Sequence, residues 1–149
     1  NCLILSQPGM KHAGAKTAAL AQSVDLAPTL TELCRLPAHA GSQGRSLKPV
    51  LDNPPAVVND AAFSWYPKEG WLGVAMRTDQ WRYIEWTKPG QKTVRELYDM
   101  TRDPHNDVNI SQQPKHTKVC DALSKQMRAR FPVQEYQPPP PLKKEAKSK

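Results

Sequence analysis

The feature that most constrains the fold is the stretch of residues 73–99, which reads GVAMRTDQWRYIEWTKPGQKTVRELYD. In its middle segment, residues 81–86, Trp81, Tyr83 and Glu85 fall on one side of an alternating pattern with the two-residue period of a strand. The short polar segment 78–80 suits a hairpin loop, and Pro89-Gly90 marks a second turn. The sequence therefore predicts an antiparallel meander with strands over residues 73–77, 81–86 and 94–99.

A fourth strand and a long helix are predicted on either side of this meander. Residues 61–65 (AAFSW) are apolar enough for a strand. In residues 114–131, Val119, Leu123 and Met127 recur every four residues, which indicates a helix with a narrow apolar stripe. A helix of this length can cover one face of the meander.

The first part of the chain predicts further short elements. Residues 3–5 (LIL) suggest a buried strand. Asp25 is a good N-cap for a helix over residues 26–34, whose apolar face would carry Leu26, Leu30 and Leu33. A helical turn near residues 47–51 would follow a loop.

Composition limits the size of the folded part. The chain has 149 residues, 15 of them Pro and only 2 Phe, with a net charge of +7. No run approaches the roughly 20 apolar residues of a membrane helix. Pro138–Pro141 precede the basic end LKKEAKSK, so residues 133–149 are predicted to be a disordered tail.

The cysteine and histidine residues show no metal-binding pattern. Cys2, Cys34 and Cys120 are widely spaced, and the four His residues form no cluster in the sequence. One disulfide with a spare thiol, or three unpaired and mostly buried thiols, would both fit, and the second is favoured. Cys34 lies on the predicted apolar helix, so we expect it to be buried and inert.

Five segments, in this order, resemble the C-terminal third of a sulfatase of the iduronate-2-sulfatase-like group. They are LILSQPG at 3–9, VDLAPTLTELCRL at 24–36, GRSLKPVL at 44–51, GVAMRTDQWRYIEW at 73–86 and ELYDMTRDPHNDVNI at 96–110. One departure is Asn106, where the group more often has Glu; we expect the neighbouring Asp107 to take over its capping role. The resemblance covers roughly residues 3–130.

The resemblance implies an α/β, alkaline-phosphatase-like sulfatase fold. Residues 1–55 would form the end of the large α/β domain. Residues 56–132 would form the C-terminal subdomain, an antiparallel sheet of about four strands packed by a C-terminal helix. A periplasmic, secreted or lysosomal location is implied in the same way.

The same resemblance implies hydrolysis of sulfate esters, with a formylglycine nucleophile and a calcium ion. The formylglycine motif Cys-x-Pro-Ser-Arg does not occur in the sequence, since Cys34-Arg35-Leu36-Pro37 has its proline one position late. We therefore assign no catalytic and no metal-binding residue to this chain. We expect the chain to be a C-terminal fragment that is inactive alone.

Substrate-binding residues are predicted near the meander. Tyr66, Lys68 and Trp71 fall in a predicted exposed loop over residues 66–71, and Arg77 ends the first meander strand. Aromatic rings stack on sugar faces, and Lys or Arg pairs with sulfate or carboxylate. A structural role is the alternative: Trp71 could be structural, and Arg77 could reach Asp99 or Glu96 across the hairpin. The remaining aromatic residues are predicted to be core: Trp81, Tyr83, Trp86 and Tyr98.

The favoured interpretation has a sulfated carbohydrate as substrate and the rest of a sulfatase chain as partner, with neither nucleic acid nor membrane as a partner. The alternative, from another class, is a small non-catalytic module. Its basic and aromatic surface would bind polyanions or single-stranded nucleic acid.

Overall fold

The computed structural model describes residues 3–131. A 3-10 turn, Ser23–Asp25, leads into helix α1 (Leu26–Leu33), and helix α2 follows (Lys48–Asp52). Four strands come next: β1 (Ala62–Lys68), β2 (Trp71–Arg77), β3 (Trp81–Thr87) and β4 (Val94–Asp99). A second 3-10 turn, Pro114–His116, precedes helix α3 (Thr117–Arg130). The predicted tail, residues 133–149, lies outside the described residues.

The four strands form one antiparallel sheet in the order β1-β2-β3-β4, with Met76 opposite Tyr83 and Tyr83 opposite Leu97. The predicted meander, its fourth strand and the C-terminal helix are therefore confirmed. The subdomain architecture expected from the sulfatase resemblance is present as well.

The predicted loop over residues 66–71 is wrong. β1 and β2 extend through it and meet at a two-residue turn of Glu69 and Gly70, whose φ angles are 51° and 81°. Two consecutive positive φ values suit the tight turn of a twisted hairpin. Pro67 is tolerated within β1 because β1 is an edge strand, where a residue without an N–H breaks no ladder.

The hydrophobic core lies between α3 and one face of the sheet. Met76, Tyr83 and Leu97 are fully buried there. The helix contributes Cys120, Leu123 and Met127, while Val119 packs at the margin. The predicted apolar stripe of the helix is thus confirmed.

Strand alternation divides the sheet into two faces. The covered face packs on α3 and carries Val74, Met76, Tyr83, Glu85 and Leu97. The opposite face, here called the open face, carries the alternate residues of each strand. Its side chains are half-buried or exposed, and they include all four residues predicted to bind substrate.

The first part of the chain is organised around the buried carboxylate of Asp25 rather than around an apolar face. This carboxylate accepts hydrogen bonds from the backbone N–H of Gln22 (2.8 Å), that of Arg45 (2.9 Å) and the side-chain amide of Asn59 (2.8 Å). A Cβ on Gly44 would lie 2.0 Å from the carbonyl oxygen of Val24. Only glycine therefore fits there, and the segments GRSL and VDL form one compact unit.

Two expectations for this part are wrong, and a third is confirmed in part. Residues 3–5 form no strand, and Ile4 is 84% exposed. Leu30 is exposed whereas Thr29 is buried, because the Thr29 hydroxyl donates to the Asp25 carbonyl and accepts from the Leu47 N–H at 2.8 Å. Asp25 occupies the N-cap position of α1, as predicted, but its carboxylate bonds the neighbouring loops and makes no side-chain capping bond to the helix. The helical turn near residues 47–51 is confirmed as α2.

The cysteines divide between surface and core. Cys34 follows the last residue of α1 and is an exposed free thiol, so the expectation that it is buried is wrong. The buried residue of this helix is the polar Thr29. Cys120 is a buried free thiol of the core. Cys2 lies outside the described residues. Within residues 3–131, the helices are too short or too polar to span a bilayer.

Candidate functional site

Three of the four predicted substrate-binding residues lie together at one end of the open face. Lys68 is directly opposite Trp71 across the β1–β2 turn, and Tyr66 is opposite Gly73. Tyr66 is 61% exposed, Lys68 is exposed and Trp71 is half-buried. The hairpin, and not a loop, fixes their spacing, so their backbone positions are rigid.

Trp86 joins these residues from β3. Its ring meets that of Tyr66 edge to face, with centroids 6.3 Å apart. It also covers Gly73, where an added Cβ would lie 2.7 Å from the indole. The prediction that Trp86 is core is therefore wrong, since the alternation of β3 places it on the open face. The absence of a side chain at Gly73 lets the indole lie flat on the sheet.

Lys88, which the sequence reasoning missed, completes the group. Its ammonium nitrogen lies 5.9 Å from the centroid of the Trp71 ring and donates to the carbonyl oxygen of Glu69 at 3.3 Å. This is a cation–π geometry. The signal was present in the sequence, because Lys88 continues the alternation of β3 two residues after Trp86. We call Tyr66, Lys68, Trp71, Trp86 and Lys88 the aromatic–lysine cluster.

Glu96 holds the aromatic part of this face in place. One carboxylate oxygen accepts from the Trp86 indole N–H at 2.8 Å, and the other accepts from the Tyr98 hydroxyl at 2.8 Å. Burial, together with the hydrogen bond and the charge of Glu96, raises the pKa of Tyr98 to about 12. Tyr98 was predicted to be core but lies on the open face. Because both Glu96 oxygens are occupied, the indole orientation is fixed before any ligand arrives.

Arg77 is remote from the cluster. It lies at the other end of β2, six residues from Trp71, which corresponds to about 20 Å along a strand. Its guanidinium donates to the carbonyl oxygens of Thr78 and Asp79, the latter at 2.8 Å. The structural alternative, a contact with Asp99 or Glu96, is not what the structure shows.

The covered face contains a charged group with a structural role. Glu85 is 1% exposed and accepts hydrogen bonds from the Tyr83 hydroxyl (2.7 Å), the Ser124 hydroxyl (2.6 Å) and the Arg128 guanidinium (3.0 Å). Burial alone would raise the pKa of Glu85, but these hydrogen bonds hold it below its ordinary value. The network joins β3 to α3, so we assign it to stability.

The other two aromatic residues predicted to be core lie on the covered face. Tyr83 is fully buried, as predicted. Trp81 is half-buried at the edge of the core, with its ring 5.9 Å from that of His116.

The described residues offer no calcium site that could be tested for fit. Within residues 3–131, no three His, Cys, Asp or Glu side chains converge in a way that could hold a metal ion. We therefore assign no metal ligand there. What the open face offers is binding chemistry: three aromatic rings for stacking and two ammonium groups for anions.

The comparisons with known proteins agree on one family. A family model of the C-terminal region of N-sulphoglucosamine sulphohydrolase matches residues 1–131. The chain is 32% identical over 124 residues to an N-acetylglucosamine-6-O-sulfatase of Bacteroides thetaiotaomicron, covering 78% of the chain and 22% of that relative. It is 29% identical over 138 residues to arylsulfatase K of Rattus norvegicus, covering 85% and 23%. The chain thus spans less than a quarter of the length of these curated relatives.

The solved structures support the same fold. A protein in complex with its substrate D-glucosamine-2-N,6-O-disulfate superimposes with a TM-score of 0.65 at 24% identity, over 83% of this chain and 28% of that one. The family model over residues 1–131 shows that the chain belongs to the sulfatases, as the C-terminal part of a member of the N-sulphoglucosamine sulphohydrolase C-terminal family.

Proposed function

We propose that the protein to which this chain belongs hydrolyses sulfate esters of sulfated sugars. The observation that carries the proposal is the family match over residues 1–131. The names of the relatives support the substrate class, because one is an N-acetylglucosamine-6-O-sulfatase and one structural neighbour binds a disulfated glucosamine. A small stand-alone module for polyanions or nucleic acid would leave this match unexplained.

The bond-breaking chemistry belongs to residues outside this chain. The formylglycine and the calcium ion that the resemblance implies have no motif or ligand set among the residues described above. In such an enzyme a doubly charged cation and basic groups would stabilise the charge that develops on the sulfate oxygens. The division at residue 55, the iduronate-2-sulfatase-like subgroup and the periplasmic, secreted or lysosomal location stay predictions.

The role proposed for this chain is to bind the sugar through the aromatic–lysine cluster. Tyr66 and Trp71 present ring faces for stacking, and Lys68 and Lys88 provide positive charge beside them. The Trp86 ring beside Tyr66 is oriented in advance by the Gly73 gap and the Glu96 hydrogen bond, so this side chain loses little conformational entropy on binding. Contacts remote from the reacting ester affect substrate choice more than they affect the chemical step.

The experiment that tests the proposed function compares two proteins on a chromogenic aryl sulfate. The protein that includes the sequence preceding residue 1 should hydrolyse it. The 149-residue chain alone should not exceed a heat-inactivated control, because its sequence lacks the formylglycine motif. Turnover by the chain alone, or no turnover of any sulfate ester by the longer protein, would refute the proposal.

A further inference from the structure

Two arginines face each other at the end of the open face that is remote from the aromatic–lysine cluster. Arg77 on β2 is directly opposite Arg82 on β3, and both are half-buried. Like charges directly opposite each other in a sheet are destabilising. The pKa of Arg77 is lowered by burial and then by the charge of Arg82. The pair therefore needs an explanation other than stability.

No described side chain forms an ion pair with either arginine, although the charge of Asp79 attracts Arg77 and partly offsets the repulsion. Within residues 3–131, no carboxylate oxygen lies within 4.0 Å of either guanidinium. Arg77 donates only to backbone carbonyl oxygens, which carry no net charge. Glu96, the acidic residue of the neighbouring strand on the same face, already accepts from two neutral donors, Trp86 and Tyr98. The remaining guanidinium N–H groups therefore have no charged partner in this part of the chain.

We propose that Arg77 and Arg82 form an anion-binding site for a second sulfate or carboxylate group of the sulfated sugar chain. This inference rests on the proposed function, and it adds a second contact point to the substrate. A guanidinium presents two parallel N–H donors that match the oxygens of a sulfate or a carboxylate. An anion between the two arginines would also convert their mutual repulsion into two attractive contacts.

The separation of the two sites determines which substrate can use both. The arginine pair and Trp71 lie at opposite ends of β2, about 20 Å apart. A small aryl sulfate or a single sugar cannot span that distance. A sulfated oligosaccharide can, so the protein should prefer chains of several sugar units over short substrates.

The experiment uses the longer, active protein and two substrates: a sulfated disaccharide, and a sulfated tetrasaccharide with the same hydrolysable ester. The wild-type protein should show a higher kcat/KM on the tetrasaccharide. Arg82→Gln should reduce this preference about tenfold, because it removes one charge-assisted contact. Arg82→Lys should retain part of it, since the positive charge remains. Arg102→Gln, at a site 87% exposed in the turn after β4, is the matched control and should change nothing.

Thermal unfolding separates a binding role from a structural one. Without substrate, Arg82→Gln should keep or raise the melting temperature, because it removes the like-charge contact. An unchanged tetrasaccharide preference in Arg82→Gln would overturn this inference alone. A lowered melting temperature with equal losses on both substrates would overturn it as well. Failure of the wild-type protein to hydrolyse any sulfate ester would instead overturn the proposed function, and this inference with it.

Discussion

The two faces of the sheet use the same four strands for opposite purposes. On the covered face, even the carboxylate of Glu85 is 1% exposed, because three hydrogen-bonding side chains satisfy it. On the open face, the large aromatic ring of Tyr66 is 61% exposed. From residue type alone, Glu85 would be expected at the surface and Tyr66 in the core. Along β3, the position in the strand alternation decides burial, and the hydrogen-bond partners make the burial of Glu85 tolerable.

The largest effect should come from removing Glu85. Glu85→Ala leaves the Tyr83 and Ser124 hydroxyls and the Arg128 guanidinium without their shared acceptor at the interface of β3 and α3. We expect a loss of about 3 kcal/mol in the free energy of unfolding, measured by denaturant titration. The open-face counterpart Glu96→Ala should cost only about 1 kcal/mol. Equal costs for the two glutamates would remove the distinction between the faces.

A smaller effect is expected at Gly73. In Gly73→Ala, the new Cβ would lie 2.7 Å from the Trp86 ring, so the indole must move away from its hydrogen bond with Glu96. We expect a loss of about 2 kcal/mol from this overpacking, measured as a change in unfolding free energy. The control is the same substitution in a Trp86→Leu background, where the cost should shrink markedly. A cost that does not depend on residue 86 would show that the indole is not what fills the space above Gly73.

Part of the pH dependence of stability should come from Glu85 on the covered face. The pKa of Glu85 is lowered in the folded state, so its contribution is fully present above the ordinary value of 4.5. That contribution is lost as the pH falls from 4.5 through the lowered pKa. Glu85→Gln should therefore be less stable at pH 7 but lose less stability than the wild type between pH 5 and pH 3, measured by thermal unfolding. Parallel pH profiles for the two proteins would contradict the assignment.

The sequence predicted the covered face better than the open one. The alternation in β3 and the four-residue repeat of Val119, Leu123 and Met127 are local patterns, and they identified the sheet, α3 and the buried Tyr83. The extension of β1 and β2 up to the turn at Glu69 and Gly70 was missed, because residues 66–71 were predicted to be a loop. A local segment does not show whether its strand will lie at the edge of the sheet, where Pro67 is tolerated, because edge position depends on the whole sheet.

The candidate site was predicted only in part, because strand register brings some of its residues together. The sequence placed Tyr66, Lys68 and Trp71 together in a predicted loop, and the structure places them together on a β-hairpin. Lys88 and Arg82 were missed because their relevance depends on register, which places Lys88 over Trp71 and Arg82 opposite Arg77. The hydrogen-bond network of Asp25 was missed because its partners Arg45 and Asn59 are 20 and 34 residues away. Local sequence signals carry no information on contacts at that separation.

The central claim, that the open face binds sugar while the covered face holds the fold, is tested most directly by two tryptophans. Trp71 lies on the open face, whereas Trp65 lies on the side of β1 that faces α3, where it is 48% exposed and its ring is 4.4 Å from that of Phe131. In the longer, active protein, Trp71→Ala should raise the KM for a sulfated oligosaccharide about tenfold, or ~1.4 kcal/mol, and leave hydrolysis of a small aryl sulfate nearly unchanged.

In the same measurement, Trp65→Ala should lower the melting temperature and reduce activity on both substrates alike, because it removes a packing contact and no substrate contact. The ratio of kcat/KM on the two substrates therefore separates the faces: it should fall about tenfold in Trp71→Ala and stay constant in Trp65→Ala. A constant ratio in Trp71→Ala, accompanied by a lowered melting temperature, would contradict the account.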